Sequence, residues 1–150
     1  PEPWATRLIE EGGGKVLVDE ATLWPEGRYV TTHIIVRTAF LDEYPGTVKA
    51  ILEGHQSALG FIESDPEQAQ KDTNAQIEAL TDKPLPEDVL AAAWENLTFT
   101  DDPIASSLEQ SAKDAEEVGL LDPVDLEGIY DLSILNSLLV AADQPEVDGL

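Results

Sequence analysis

The sequence predicts an α/β fold that is mostly helical and contains a few strands. Residues 29–38 (YVTTHIIVRT) are rich in β-branched side chains, and such a continuous apolar stretch is typical of a strand covered on both faces. After residue 47, apolar residues recur at helical spacing and are interrupted by proline or glycine. Because one long strand cannot form a sheet alone, its neighbours are expected outside these 150 residues.

The first 28 residues predict a helix, a short strand and a loop. Proline near the first turn favours a helix over residues 3–11, and three glycines at 12–14 end it. Residues 15–18 (KVLV) form a short β segment, and Trp24-Pro25-Glu26-Gly27 marks the loop over 19–28 as a turn region.

The rest of the chain predicts one helical turn followed by about five helices. The turn lies at Phe40-Leu41, and the acidic tail after Ala142 is expected to be frayed. Asp65, Asp102 and Asp131 are predicted to cap helices, the first two with proline at the first helical position. The predicted helices cover about 47–64, 66–80, 87–95, 102–118 and 131–142.

The charge balance excludes several classes of protein. Thirty-one acidic residues face eight basic ones, which gives a formal net charge of -23, so the chain repels nucleic-acid backbones. There is no cysteine for a disulfide or thiolate site, no signal peptide, and no apolar run near the ~20 residues of a membrane span. The opening Pro1-Glu2-Pro3-Trp4, without methionine, is expected to lie inside a longer protein.

Motifs of common enzymes are also missing from the sequence. It contains no G-x-S-x-G elbow, no Walker loop and no dinucleotide glycine pattern. The glycines at 12–14 precede a predicted strand, whereas a phosphate-binding loop follows one. His33 and His55 do not form a metal-ligand pattern, and His55 falls on an apolar helical stripe typical of a partly buried histidine. We expect no catalytic activity, no metal and no cofactor.

A series of short motifs resembles the aliphatic-sulfonate-binding proteins of bacterial ABC importers, whose relatives bind nitrate, taurine and thiamine-pathway pyrimidines. Each motif is weak by itself, and their order and spacing carry the resemblance. The motifs are EPWA at 2–5, VLVD at 16–19, LWPEGR at 23–28, VTTHIIVRT at 30–38, FLDEYP at 40–45 and LEGH at 52–55, with a similar helical segment over 105–139.

The resemblance implies the C-terminal part of a two-lobed, type II periplasmic-binding-protein-like fold. Residues 1–28 would end the second lobe, and residues 29–150 would supply the hinge-crossing strand and the C-terminal helices of the first lobe. The N-terminal part, with most strands, would be missing. The implied protein is extracytoplasmic, binds a small anion such as an alkanesulfonate and delivers it to a membrane permease. This interpretation requires residues 29–38 to be buried. Self-association of the fragment is a further possibility.

Five residues are candidate ligand contacts. Trp4 could pack on an alkyl chain and Glu2 could meet a donor group, although a core tryptophan and a helix-start acid explain them equally simply. Thr31, Thr32 and His33 carry donors suited to an oxyanion. The alternative is ordinary side-chain alternation along a strand.

Two other functions remain open at this stage. One is an enzyme of the thiamine-pyrimidine synthesis type on the same fold, which needs a lysine and histidine arrangement that the sequence does not display. The other is an acidic helical interaction domain without a ligand. That domain would have a self-contained helical core and no long buried strand.

Overall fold

The computed structural model describes residues 1–150 and contains seven α-helices and no β-strand. Two short 3-10 turns, Glu20–Leu23 and Pro25–Gly27, follow the first helix. The helices are α1 (Trp4–Glu10), α2 (Thr38–Glu43), α3 (Pro45–Ser64), α4 (Pro66–Thr81), α5 (Glu87–Glu95), α6 (Ala105–Glu117) and α7 (Ser133–Ala141).

The chain divides into two compact units. Unit 1 consists of Pro1–Leu17 and Gly54–Thr100, and unit 2 consists of Val18–Glu53 and Asp101–Leu150. Helix α3 contributes residues 45–53 to unit 2 and residues 54–64 to unit 1. The predicted helices are all present in the structure. Their distribution between these two units was not predicted.

The core of unit 1 is centred on α5, which packs against α1 and α4. Its apolar residues Val89, Leu90 and Ala93 recur at helical spacing and are buried, Val89 to 1% exposure. Ala69 is the buried residue of α4. The predicted burial of α5 is confirmed for these three side chains, whereas Trp94 is only partly buried and packs on Phe99, with ring centroids 4.9 Å apart.

Glycine ends α1 in the way the sequence predicts. Gly13 has a φ of +67°, a conformation that costs glycine little and other residues more. This turn allows Gly13 N–H to donate to Ile9 O at 3.1 Å and Gly14 N–H to donate to Leu8 O at 2.8 Å. The two bonds satisfy carbonyls left free at the end of the helix.

One of the three predicted aspartate caps is confirmed: Asp65 is the N-cap of α4 and accepts a hydrogen bond from Gln68 N–H at 3.1 Å. Asp131 lies one residue before Leu132, the N-cap of α7, and accepts a hydrogen bond from Ser133 N–H at 3.0 Å. The third prediction is wrong in register, because α6 begins at Ala105 and not beside Asp102. Ile104, with a φ of 45°, turns the chain first, and Asp102 accepts from Ile104 N–H at 2.8 Å.

The buried residues of unit 2 lie on α6 and α7. They are Ala105 and Ser107 on α6, and Leu135 and Leu139 on α7. Ser107 donates its hydroxyl to Ile104 O at 2.8 Å, which satisfies a polar group that would otherwise be buried at a cost.

The C-terminal tail is held in place, contrary to the prediction of a frayed end. Asn136 on α7 donates its side-chain N–H to Val147 O at 3.0 Å and accepts from Val147 N–H at 2.9 Å. A Cβ added to Gly149 would lie 3.3 Å from Tyr130 Cβ, so the tail also runs close to this ring. A paired side-chain amide thus replaces the backbone partner that the tail lacks.

The predicted strands are wrong for this chain. Residues 15–18 and 29–36 have no helix or strand, and residues 31–38 are all exposed, so the burial required by the two-lobed interpretation is not observed. Ile35 is 89% exposed. A strand exists only when a second strand supplies hydrogen bonds, and no other segment of the 150 residues pairs with this one.

The apolar core is small for a chain of this length. Seven hydrophobic residues are buried and three of them are alanines, while many larger apolar side chains remain exposed. Helix α3 has no buried residue at all, and its predicted apolar stripe is at best half-buried.

No helix combines the length and apolar character needed to cross a bilayer.

Candidate functional site

The predicted ligand contacts fall in both units, and each group is described within its own unit. Glu2 and Trp4 lie at the start of α1 in unit 1, and Thr31, Thr32 and His33 lie in the irregular segment of unit 2. The structure brings the members of each group together because they are close in sequence.

Glu2 is engaged by hydrogen bonds at the start of α1. Its carboxylate accepts from Thr6 N–H at 3.2 Å and from the Asn96 side-chain N–H at 2.9 Å. Thr6 is 4% exposed and is the buried residue of α1. Glu2 therefore caps the helix and links it to the end of α5, which is the structural role considered for it beside ligand contact.

Trp4 lies on the surface of unit 1 and has a cation above its ring. Its exposed fraction is 61%, and the Arg7 guanidinium carbon lies 5.1 Å from the ring centroid. Arg7 is in turn paired with Glu11 at 3.0 Å. The arginine stacks on an indole face, a favourable arrangement, and the remaining surface of the ring is open to solvent.

His33 is the one candidate in unit 2 with a side-chain partner. Its Nε2 lies 3.3 Å from the Tyr130 hydroxyl, and the two rings are 5.9 Å apart with a tilt of 47°. Partial burial raises the pKa of the Tyr130 hydroxyl above its ordinary value. The hydroxyl stays neutral near pH 7 and is available for this hydrogen bond. Sequence reasoning missed Tyr130, since the two residues are 97 positions apart.

Thr31 and Thr32 are exposed and their hydroxyls point to no partner within the chain. Arg37 lies six residues after Thr31, is exposed, and forms none of the ion pairs of the structure. Arg28, at the other end of the segment, is paired with Asp102 at 2.8 Å. Arg37 is therefore the guanidinium of this segment that can still meet an anion.

The candidates of unit 2 lie in the longest stretch of the sequence without an acidic residue. Residues 27–41 contain two arginines and no Asp or Glu, which gives them a formal charge of +2. The other 135 residues then carry -25, since +2 and -25 sum to the total of -23. Sequence reasoning could have found this signal from the spacing of the acids. It makes this segment the electrostatically favourable place for an anion on the chain.

A separate depression of about 570 Å³ lies at the beginning of α6 in unit 2. Among its lining residues, four acids surround one base, so an anion would be repelled there. The charged lining residues are Glu26, Arg28, Asp102, Glu146 and Asp148.

No group of three His, Asp or Glu side chains is placed to hold a metal ion. His55 is partly buried on α3, as its position on the helical stripe predicts. The two histidines lie in different elements, His33 in the irregular segment and His55 in α3, and His33 has a tyrosine as its partner.

Comparison with known families decides the assignment. Residues 1–78, 78 of the 150, match the NMT1-like family. The chain belongs to the NMT1-like family. The matched range contains all five predicted ligand contacts and agrees with the resemblance to sulfonate-, nitrate- and taurine-binding proteins carried by the motifs between residues 2 and 55. No curated protein and no solved structure matches the chain.

Membership of the NMT1-like family indicates a solute-binding role in ABC import. The family also implies a periplasmic-binding-protein fold, of which the helices are seen in this chain and the strands are not. The mostly helical part of the predicted fold class is thus confirmed.

Proposed function

We propose that this chain is part of an extracytoplasmic receptor that binds a small anion, such as an aliphatic sulfonate, taurine or nitrate, and passes it to an ABC permease. The observation that carries the proposal is the match of residues 1–78 to the NMT1-like family. We propose binding and not catalysis, because these 150 residues do not display the lysine and histidine arrangement expected of the related pyrimidine-synthesis enzymes.

Unit 2 would supply the anion contacts. Thr31 and Thr32 offer hydroxyl donors, Arg37 offers an unpaired guanidinium, and no acidic residue lies between 27 and 41. A guanidinium can bind two oxygens of a sulfonate or nitrate at once. His33 would be oriented by its contact with Tyr130.

Unit 1 carries a candidate contact of its own. Trp4 exposes most of its ring, and a flat aromatic surface suits an alkyl group such as that of an organosulfonate. Glu2, whose carboxylate is already bound by two donors, would act indirectly by fixing the start of α1.

The exposed segment 29–38 supports a further part of the proposal. Its β-branched residues have the composition of a strand, and its backbone groups at 31–36 have no partner in the chain. We propose that it crosses the hinge of the receptor and pairs with strands outside these 150 residues. Residues 1–28 would then end one lobe, and the helices after residue 38 would complete the other.

An acidic helical interaction domain is less consistent with the structure. That alternative predicts a self-contained core, whereas α3 has no buried residue and three of the seven buried apolar residues are alanines. The absence of a long buried strand is, in contrast, what this alternative predicts.

Isothermal titration calorimetry on the full-length receptor, of which we propose this chain to be part, tests the substrate class. We expect ethanesulfonate, taurine or nitrate to bind and chloride to show no heat of binding. Arg37→Ala should weaken binding of every anion. Lys71→Ala, which removes one positive charge from α4, is the matched control for Arg37→Ala. If no anion binds, the substrate class is refuted, and family membership, which depends on sequence, is unaffected.

A further inference from the structure

Residues 96–98 (Asn-Leu-Thr) form an N-glycosylation sequon, which is Asn-x-Ser/Thr without proline in the middle position. The chain has three asparagines, and this one alone lies in a sequon. Asn74 is followed by Ala-Gln and Asn136 by Ser-Leu, so neither has Ser or Thr two residues later. Because the motif is short, its position in the structure decides whether a modifying enzyme can reach it.

The sequon lies on the surface of unit 1, directly after α5 ends at Glu95. Asn96, Leu97 and Thr98 are all exposed, and residues 97–100 belong to no helix or strand. Glycosylated asparagines occur in surface loops, where an enzyme can reach the acceptor amide and where a bulky sugar finds room. The structure therefore provides the setting that this motif requires.

The side-chain amide of Asn96 is used differently from those of the other two asparagines. Asn74 and Asn136 are partly buried, and each uses both its oxygen and its N–H to hold one backbone residue. Asn96 Nδ2 donates to Glu2 Oε1 at 2.9 Å and, over a longer distance of 3.5 Å, to the Thr6 hydroxyl. A glycan replaces one of the two amide hydrogens, and the other can still donate to Glu2. The modification is therefore compatible with the bond that links the start of α1 to the end of α5.

We propose that Asn96 carries an N-linked oligosaccharide in the full-length receptor. This inference rests on the extracytoplasmic location in the proposed function, because oligosaccharyltransferases act on the extracytoplasmic side of a membrane. Asn96 Nδ2 forms a bond to C1 of the first sugar of a lipid-linked oligosaccharide. The bond between C1 and the lipid phosphate oxygen breaks, the lipid phosphate leaves, and the amide loses one proton to a base of the transferase.

A glycan at Asn96 also limits what can pack against the end of α5. An N-linked oligosaccharide is bulky and hydrated, so this face of unit 1 stays open to solvent in the full-length receptor and is not covered by the permease. Glu2, whose carboxylate accepts from Asn96, lies beside the modified amide. This position agrees with the structural role of Glu2 at the start of α1.

Mass spectrometry of the full-length protein, purified from the extracytoplasmic fraction of the cells that make it, tests the proposal. Fragmentation of the peptides from these 150 residues locates any sugar. We expect the mass of one oligosaccharide on Asn96 and none on Asn74 or Asn136, which lie outside a sequon.

Substitutions at Thr98 separate the glycan from the structural contact of Asn96. Thr98→Ala destroys the sequon and keeps the asparagine that bonds to Glu2, so we expect complete loss of the sugar from a folded chain. Thr98→Ser retains the sequon and should keep the sugar. Thr73→Ala is the matched control, since it removes an exposed threonine hydroxyl of the same unit, on α4, and should also keep the sugar.

The possible failures of this proposal and of the proposed function are distinguishable. Unmodified Asn96 in protein recovered from outside the cytoplasm overturns the glycosylation site and leaves the receptor function standing. Protein found only in the cytoplasm overturns both. A sugar that persists in Thr98→Ala, or that maps to a residue other than Asn96, overturns the assignment to this sequon.

Discussion

Each unit contains an asparagine that holds the backbone of a residue eleven positions later, and the two cases differ in the segment that comes next along the chain. Asn74 holds Leu85 with distances of 2.9 and 2.8 Å, and Asn136 holds Val147 with distances of 3.0 and 2.9 Å. After Leu85 the chain enters α5, which carries the core of unit 1. After Val147 come exposed residues that belong to no helix. The same pair of hydrogen bonds therefore positions a core helix in one unit and an exposed irregular segment in the other.

This difference shows that the stabilisation provided by a local contact depends on how much the segment it fixes contributes to the core. Leu85 precedes Val89 and Leu90, so misplacing it disturbs buried apolar surface. Val147 precedes exposed residues, so loss of the Asn136–Val147 contact frees only an exposed segment. Stability differs between parts of a structure in this way, from termini that open readily to core helices that open only on unfolding.

The largest effect is expected for the core that the Asn74 contact positions. Leu90→Ala removes a buried side chain from α5 and should lower the free energy of unfolding by about 3 kcal/mol. Urea unfolding followed by circular dichroism measures the change. Leu80→Ala, at an exposed position of α4, is the control and should change it by less than about 0.5 kcal/mol. Equal effects of the two substitutions would contradict the placement of the core.

A second prediction tests the comparison directly. Asn74→Ala leaves a partly buried N–H and C=O of Leu85 unpaired and should cost about 2 kcal/mol of global stability. Asn136→Ala removes the equivalent contacts of Val147, and we expect it to change mainly local opening of the tail. Amide hydrogen exchange at Val147 should accelerate while the urea midpoint stays nearly constant. If Asn136→Ala lowers the midpoint more than Asn74→Ala does, the comparison is wrong.

A smaller effect is expected at the start of α7, and it depends on pH. Two hydrogen bonds from Ser133 lower the pKa of Asp131. The bond from the hydroxyl has the larger effect, and the bond from the backbone N–H has the smaller one. Because the folded-state pKa is below the unfolded value of 3.8, this stabilisation is present above that pH and is lost as the pH falls through the folded pKa. Asp131→Ala should therefore lower the thermal midpoint at pH 7, and the difference from the parent should shrink below pH 3.8.

The control for this pH dependence is Asp122→Ala, which removes an exposed acid outside the helices. Its effect on the midpoint should be small and should not follow the profile of Asp131→Ala. A constant difference between Asp131→Ala and the parent from pH 7 to pH 3 would show that Asp131 contributes no charge-dependent stability.

The smallest effect is expected for the hydrogen bond between His33 and Tyr130. Tyr130→Phe removes the hydroxyl that meets His33 and keeps the ring beside Gly149. We expect a change of about 0.5 kcal/mol or less in unfolding free energy, since the bond is long and exposed. The His33 ring resonances should move in NMR spectra while those of His55 stay in place. Unchanged His33 resonances would show that the contact is not formed in solution.

The sequence predicted features that depend on neighbours along the chain and missed those that depend on distant partners. The cap at Asp65 could be predicted because the donor it needs lies three residues later. The strand at 29–38 was predicted from composition, but a strand requires a second segment, which the chain does not provide. The contact of His33 with Tyr130, across 97 positions, left no local pattern to recognise.

The distribution of tryptophan gives the molecule two internal optical reporters. Trp94 packs on Phe99 in unit 1, and Trp24 stacks on Tyr29 in unit 2, with ring centroids 5.2 Å apart and planes 15° from parallel. Trp4 is the third and is largely exposed to solvent. Replacing Trp4 by phenylalanine would leave one indole in each unit. Further removal of either remaining indole would let fluorescence emission follow the melting of one unit without interference from the other.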